Sequence, residues 1–233
     1  MYSMSSYKGL FVPPPKTNIG QRKSEELINA LVHAVGLGLA IAGLAVIMVQ
    51  SMSCPDVWCI TGTLLYGSTL ILTYLSSTLY HGTQDPELKH KFRILDHITI
   101  YLAIAGGYSP FLLSYMRDPT GWIMFFALWS IAIFGICFKL CLFGRFERIS
   151  VASYVTMGWV GLVCVDRFMA TIPDAGLLWL FIGGFFYTIG VYFYANDHKP
   201  WYHTIWHLLV VIGSICHYIA ILFYVVIPNS QLH

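Results

Sequence analysis

Charge is what this chain has least of. Only 10% of its 233 residues are Asp, Glu, Lys or Arg, while 57% are hydrophobic; an average soluble domain carries about 25% charged residues. Such a deficit excludes an ordinary soluble domain and implies an integral membrane protein. The net charge is only +2 and no basic cluster interleaved with exposed aromatics occurs, so a nucleic-acid partner is not expected. The six cysteines (54, 59, 137, 141, 164 and 216) show no CxxC or zinc-ribbon spacing, which removes a cysteine-based metal framework. Cys54 and Cys59 share one short polar interval and form a candidate disulfide if that loop lies outside. The plainer reading is free thiols in or near helices.

Long polar segments are missing too. Residues 1–24 hold Pro13-Pro14-Pro15 and several serines but no apolar core, and read as a disordered cytoplasmic tail rather than a signal peptide. Beyond them, seven stretches approach the ~20 apolar residues that span a bilayer: 27–50, 58–80, 96–115, 121–141, 150–167, 175–195 and 203–227. The fifth is the weakest, because Asp166 and Arg167 crowd its end. No interruption is long enough for a second domain and no internal repeat is evident. The expected fold class is therefore all-α, one seven-transmembrane helix bundle over residues 25–233. Eleven of the thirteen basic residues fall on the side of the N-terminal tail and the second, fourth and sixth loops, leaving Arg117 and Arg167 opposite. By the positive-inside rule the N-terminus is cytoplasmic and the C-terminus outside, as expected for a protein of the cell membrane.

Against this background three histidines stand out. His203 and His207 are one helical turn apart on one face of span seven, and His81 ends span two. Ionisable groups are costly in hydrocarbon, so their default reading there is functional. All three fall at the cytoplasmic side, as does Asp96 at the start of span three. Three neutral imidazoles leave one tetrahedral position open on a zinc ion, the arrangement of a catalytic rather than a closed site. Zinc lowers the pKa of a bound water from about 15.7 toward 7, and Asp96 could orient that water and pass its proton to a leaving amine. A simpler role for Asp96 is a partner for Arg93 or a helix N-cap. Ser77 lies four residues before His81, on the same side of span two, where its hydroxyl could bond the water or a substrate oxygen; serines on membrane helices also simply bond their own backbone.

Glu26, Asn29 and His33 make a polar stripe on span one that must face the bundle interior or a water-filled cavity. Their expected role is structural, or to support the ligands by hydrogen bonds that fix a tautomer. His217, ten residues past His207, is about 15 Å away along a helix and too far for the same metal; a bond to a neighbouring helix is expected. His90, His97, His198 and His233 read as solvated, with His97 beside Asp96 of some interest. Gly106-Gly107 and Gly183-Gly184 permit close helix approach, and Pro110 should kink span three.

Taken in order, Glu26-x-x-Asn29-x-x-x-His33, Ser77-x-x-x-His81, Leu95-Asp96 and His203-x-x-x-His207 resemble the motifs of the hemolysin III branch of the progestin and adipoQ receptor family. The resemblance covers essentially the whole chain after the tail. It implies a seven-helix bundle with zinc near the cytoplasmic leaflet, ligated by His81, His203 and His207, with Ser77 and Asp96 beside the metal-bound water. Related adiponectin receptors and alkaline ceramidases associate this site with hydrolysis of lipid amides, notably ceramide. The leading expectation is thus a zinc-dependent hydrolase of a membrane lipid amide. A non-enzymatic sensor with structural zinc and a cytolytic, hemolysin-type pore are the alternatives.

Overall fold

The computed structural model describes residues 19–51, 56–143 and 146–230, and these are helical almost throughout. In chain order they form α1 (Ile19–Ser51), α2 (Val57–Gly82), α3 (Pro86–Tyr115), α4 (Pro119–Leu142), α5 (Glu147–Gly158), a 3₁₀ turn (Val160–Cys164), α6 (Val165–Thr171), α7 (Asp174–Ala195) and α8 (Tyr202–Ile221), which runs through a π turn (Leu222–Val226) into α9 (Ile227–Ser230). Seven of the resulting segments are long and apolar enough to cross a membrane. Lipid offers the backbone no partners, so the crossing segments satisfy most of their own N–H and C=O groups as helix.

Three helices start on an aspartate. Asp56, Asp85 and Asp118 accept hydrogen bonds from Trp58 N, Leu88 N and Gly121 N respectively. Pro86 and Pro119 follow two of them in the first turn, where a missing N–H costs nothing. This capping moves the start of α3 well ahead of the expected residue 96. The polar stretch read as a loop already forms the first turns of α3, and Asp96 sits inside the helix. The N-cap role considered for Asp96 belongs to Asp85. Likewise α1 begins at Ile19, within the stretch expected as tail; residues 1–18 lie outside the described ones.

The fifth span is broken, with a physical cause on α3. The hydroxyl of Tyr108 donates to Gly158 O at 2.5 Å and accepts from Gly161 N at 3.1 Å. A side chain thus takes over backbone groups that a continuous helix would pair internally. Pro110 sits within α3, which continues through it to Tyr115, and its backbone packs on Gly62 of α2. Helices α1, α2, α3, α7 and α8 position the site: α2 packs between α1 and α3, α7 packs on α8, and α1 closes against α8. Many buried residues are polar, and several of their hydroxyls turn back onto their own helices: Thr63, Thr69 and Thr73 each donate to the carbonyl four residues earlier. Cys54 lies outside the described residues, so its pairing with the buried Cys59 is not described.

Candidate metal centre

His81 ends α2 and His203 and His207 open α8, so two helix ends far apart in sequence deliver three imidazoles to one depth. Their candidate ligand nitrogens all lie within 4.8 Å of one another. Nε2 of His81 and Nε2 of His207 are 3.0 Å apart, near the roughly 3.3 Å between neighbouring ligands of a tetrahedral zinc with 2.0–2.1 Å bonds. Nε2 of His203 is buried and has no hydrogen-bond partner among the described residues. Buried polar nitrogens are seldom left without a partner, and a convergent imidazole set suits a borderline-soft divalent cation. The three histidines therefore fit a metal ion.

The outward nitrogens of His81 and His207 have hydrogen-bond partners on α1, and that of His203 faces the turn after α7. Nδ1 of His81 lies 3.2 Å from Glu26 Oε2 on α1, which also receives a 2.6 Å bond from Lys89 Nζ on α3. Nδ1 of His207 lies 2.8 Å from His33 Nε2. Nδ1 of His203 stands 3.7 Å from Asp197 Oδ2. Asn29 accepts a 2.5 Å hydrogen bond from Thr204, which fixes α1 to the first turn of α8 between the two histidines. The stripe read on α1 thus touches the triad directly through Glu26 and His33 and indirectly through Asn29.

A cavity of about 90 Å³ lies against this cluster, with Asp96, His203 and His207 in its wall. Asp96 stands beside Ser77, His203 and Arg93. The hydroxyl of Ser77 is buried next to that carboxylate without closing a bond of good geometry. His97 was expected in solvent and is instead 7% exposed. The early start of α3 carries it into the bundle, where its Nδ1 donates to Arg93 O at 2.7 Å and Tyr194 approaches its Nε2 at 3.3 Å. Tyr194 and Asp197 complete the wall on the α7 side. Sequence reading missed both, although Asp197 falls in the polar loop just before His203. Lys89, read there only as a loop charge, bears on Glu26. His90 and His198 are exposed as expected, and His233 lies outside the described residues. His217 bonds Leu180 O on α7 at 3.3 Å, away from the triad, also as expected.

A second, larger cavity of about 250 Å³ continues toward the middle of the bundle, between α3, the broken fifth span, α7 and α8. Its wall is mainly aliphatic and aromatic. Thr73, Ile100, Trp206 and Val210 line both spaces, so the apolar chamber abuts the histidine cavity.

The family model described as "Haemolysin-III related" matches residues 21–218. Two curated relatives are similar over nearly their full lengths. The chain is 36% identical to "Hemolysin-3" of Bacillus cereus over 215 residues, 92% of this chain and 98% of the relative. It is also 36% identical to the "Hemolysin-3 homolog" of Bacillus subtilis (strain 168) over 202 residues, covering 87% and 95% of the two chains. The human "Monocyte to macrophage differentiation factor" is 29% identical over 203 residues, 84% of this chain and 83% of its own.

Proposed function

This chain belongs to the haemolysin III-related family, and from that premise we propose that it is a zinc-dependent intramembrane hydrolase of lipid amides with ceramide-like substrates. The observation that carries the reading is a convergent histidine triad, beside a carboxylate, at the end of an apolar chamber. The end of the bundle bearing the triad is taken as cytoplasmic, because it collects most of the Lys and Arg.

His81, His203 and His207 would hold the ion, which supplies Lewis acidity toward an amide carbonyl and toward water. Glu26 accepts the Nδ1–H of His81 and so leaves its Nε2 facing Nε2 of His207, while Lys89 steadies the carboxylate. His33 does the same for His207. Such partners orient a ligand and raise its basicity. Asn29 holds α8 in register through Thr204. Asp96 would take a proton from the attacking water at a carboxylate oxygen and deliver it to the nitrogen of the leaving amine, so that amide and water become acid and amine. Ser77 would orient water or the carbonyl oxygen by hydrogen bonding. The chamber takes the acyl chain and keeps bulk water from the reacting bond.

The test is turnover of ceramides by purified, zinc-loaded protein in lipid nanodiscs, read as fatty acid released. Activity that disappears in Asp96→Asn while zinc is retained supports the reading. No hydrolysis of any acyl-amide lipid counts against it and favours a sensor in which the ion only ties α2 to α8. A hemolysin-type pore draws less support, because the α1 stripe that would line it is engaged by His81, Lys89, Thr204 and His207.

A further inference from the structure

Midway through the bundle, the apolar chamber has a polar spot that the hydrolytic site does not use and whose hydrogen bonds, unlike those of Tyr108, Tyr154 and Thr188 elsewhere in the wall, do not close among the described residues. Tyr66, Tyr187, Ser214 and His217 all contribute to its wall. Polar groups at this depth are expensive, so each hydrogen must be accounted for. The hydroxyl of Tyr66 donates to Ser214 O at 3.4 Å. Tyr74, behind the wall, donates to Ser214 Oγ at 2.8 Å. The remaining contact, Tyr187 Oη to Ser214 Oγ at 2.8 Å, uses one hydrogen but brings two hydroxyls. Either Tyr187 donates and the Ser214 hydrogen has no acceptor among the described residues, or Ser214 donates and the Tyr187 hydrogen has none there. One donor is left over in both cases.

His217 leaves the matching acceptor. Its Nε2 faces the carbonyl of Leu180 at 3.3 Å, and so must carry the proton. The Cδ2–Nε2 edge of the ring is packed where Gly183 has no side chain. In neutral His217 the lone pair is then on Nδ1, which makes no hydrogen bond among the described residues. The rings of Tyr187 and His217 are 5.2 Å apart, edge to face. One spare donor and one spare acceptor in adjacent wall residues match a group that both accepts and donates. A hydroxyl does this; a plain hydrocarbon chain does neither.

We infer that the chamber selects a lipid chain carrying a mid-chain hydroxyl, held between the Tyr187–Ser214 pair and His217. This rests on the reading that the chamber receives the acyl chain of the substrate. Ser214 and His217 lie seven and ten residues beyond His207 on α8, or about 10–15 Å at 1.5 Å per residue. An extended chain with ordinary C–C bonds advances roughly 1.25 Å per carbon, so the hydroxyl belongs roughly eight to twelve carbons from the carboxyl end.

The experiment is competitive binding of stearic acid and its 6-, 10-, 12- and 16-hydroxy derivatives to the full chain in nanodiscs. The 10- and 12-hydroxy acids should bind roughly five-fold or more tighter than stearic acid, as expected for hydrogen bonds made in an apolar wall, with no gain for the 6- and 16-hydroxy acids. Tyr187→Phe and His217→Phe should each bring that ratio close to one while stearic acid still binds, which also shows that the variants fold. Equal binding of all five acids, no binding of any, or a preference that survives both substitutions would overturn the inference. Binding needs no turnover. A protein that prefers the 12-hydroxy chain yet cleaves no amide would sink the hydrolase and leave the hydroxyl station standing.

Discussion

His33 Nε2 lies 2.8 Å from Nδ1 of His207, bringing α1 into contact with the imidazole set of α8. For His207 to offer Nε2 to a cation, its proton must sit on Nδ1, and His33 is the acceptor in place to hold it there. His33 is itself 3% exposed, with its ring edge-to-face on Tyr74. A side chain this enclosed can fix a tautomer without ligating.

His33→Leu should therefore weaken zinc binding about 10- to 100-fold, the usual consequence of losing such a partner. His33→Gln, which keeps an acceptor, should recover part of the loss. Competition against a chelator of known affinity reads both. Unchanged affinity in His33→Leu would show the contact to be packing alone.

Asp96→Asn separates chemistry from metal binding. The amide is isosteric but cannot accept the proton, so hydrolysis should fall by about 10²-fold or more while zinc content stays at the wild-type level. Fatty-acid release and metal content on the same preparation decide it. Equal loss of both would make Asp96 part of the binding set instead.

The join between the two cavities can be blocked. Val210 lines both, so Val210→Phe should raise KM for long-chain amides roughly 10-fold and leave short-chain amides nearly unaffected, a loss of ground-state binding. A chain-length series in wild type and variant measures this. An equal effect at every length would mean that the chain does not pass Val210.

Lys139 is 1% exposed and its Nζ lies 2.7 Å from Glu147 Oε2, tying α4 to α5. Glu147→Gln leaves that ammonium without its counter-charge. The cost for a fully buried pair is about 3–5 kcal/mol, and less where one partner is a third exposed, as here. The double variant Lys139→Met/Glu147→Gln should regain most of it. Thermal unfolding in detergent checks the order: wild type, then the double variant, then the single.

Much of this was legible in the sequence because hydrocarbon is an unforgiving solvent. Span number followed from apolar length, and the i, i+4 spacing of His203 and His207 required one face. The meeting of His81 with that pair followed from depth. What was illegible was mostly local or lateral. The Asp85 cap before Pro86 outweighed the polarity of the residues after it, so α3 started early and carried His97 inward. The bond from Tyr108 to Gly158 and Gly161, which breaks the fifth span, joins residues about fifty apart. The link from Lys89 to Glu26 was hidden for the same reason, since neither charge signals its partner. The apolar chamber arises from helix packing and has no motif.

The most direct test of the account is metal content by plasma mass spectrometry on purified protein, comparing wild type with His81→Ala, His203→Ala and His207→Ala. The account predicts close to one zinc per wild-type chain and substantial loss in each variant. Wild-type protein that holds no stoichiometric metal after zinc loading, or variants that hold as much as wild type, would contradict it.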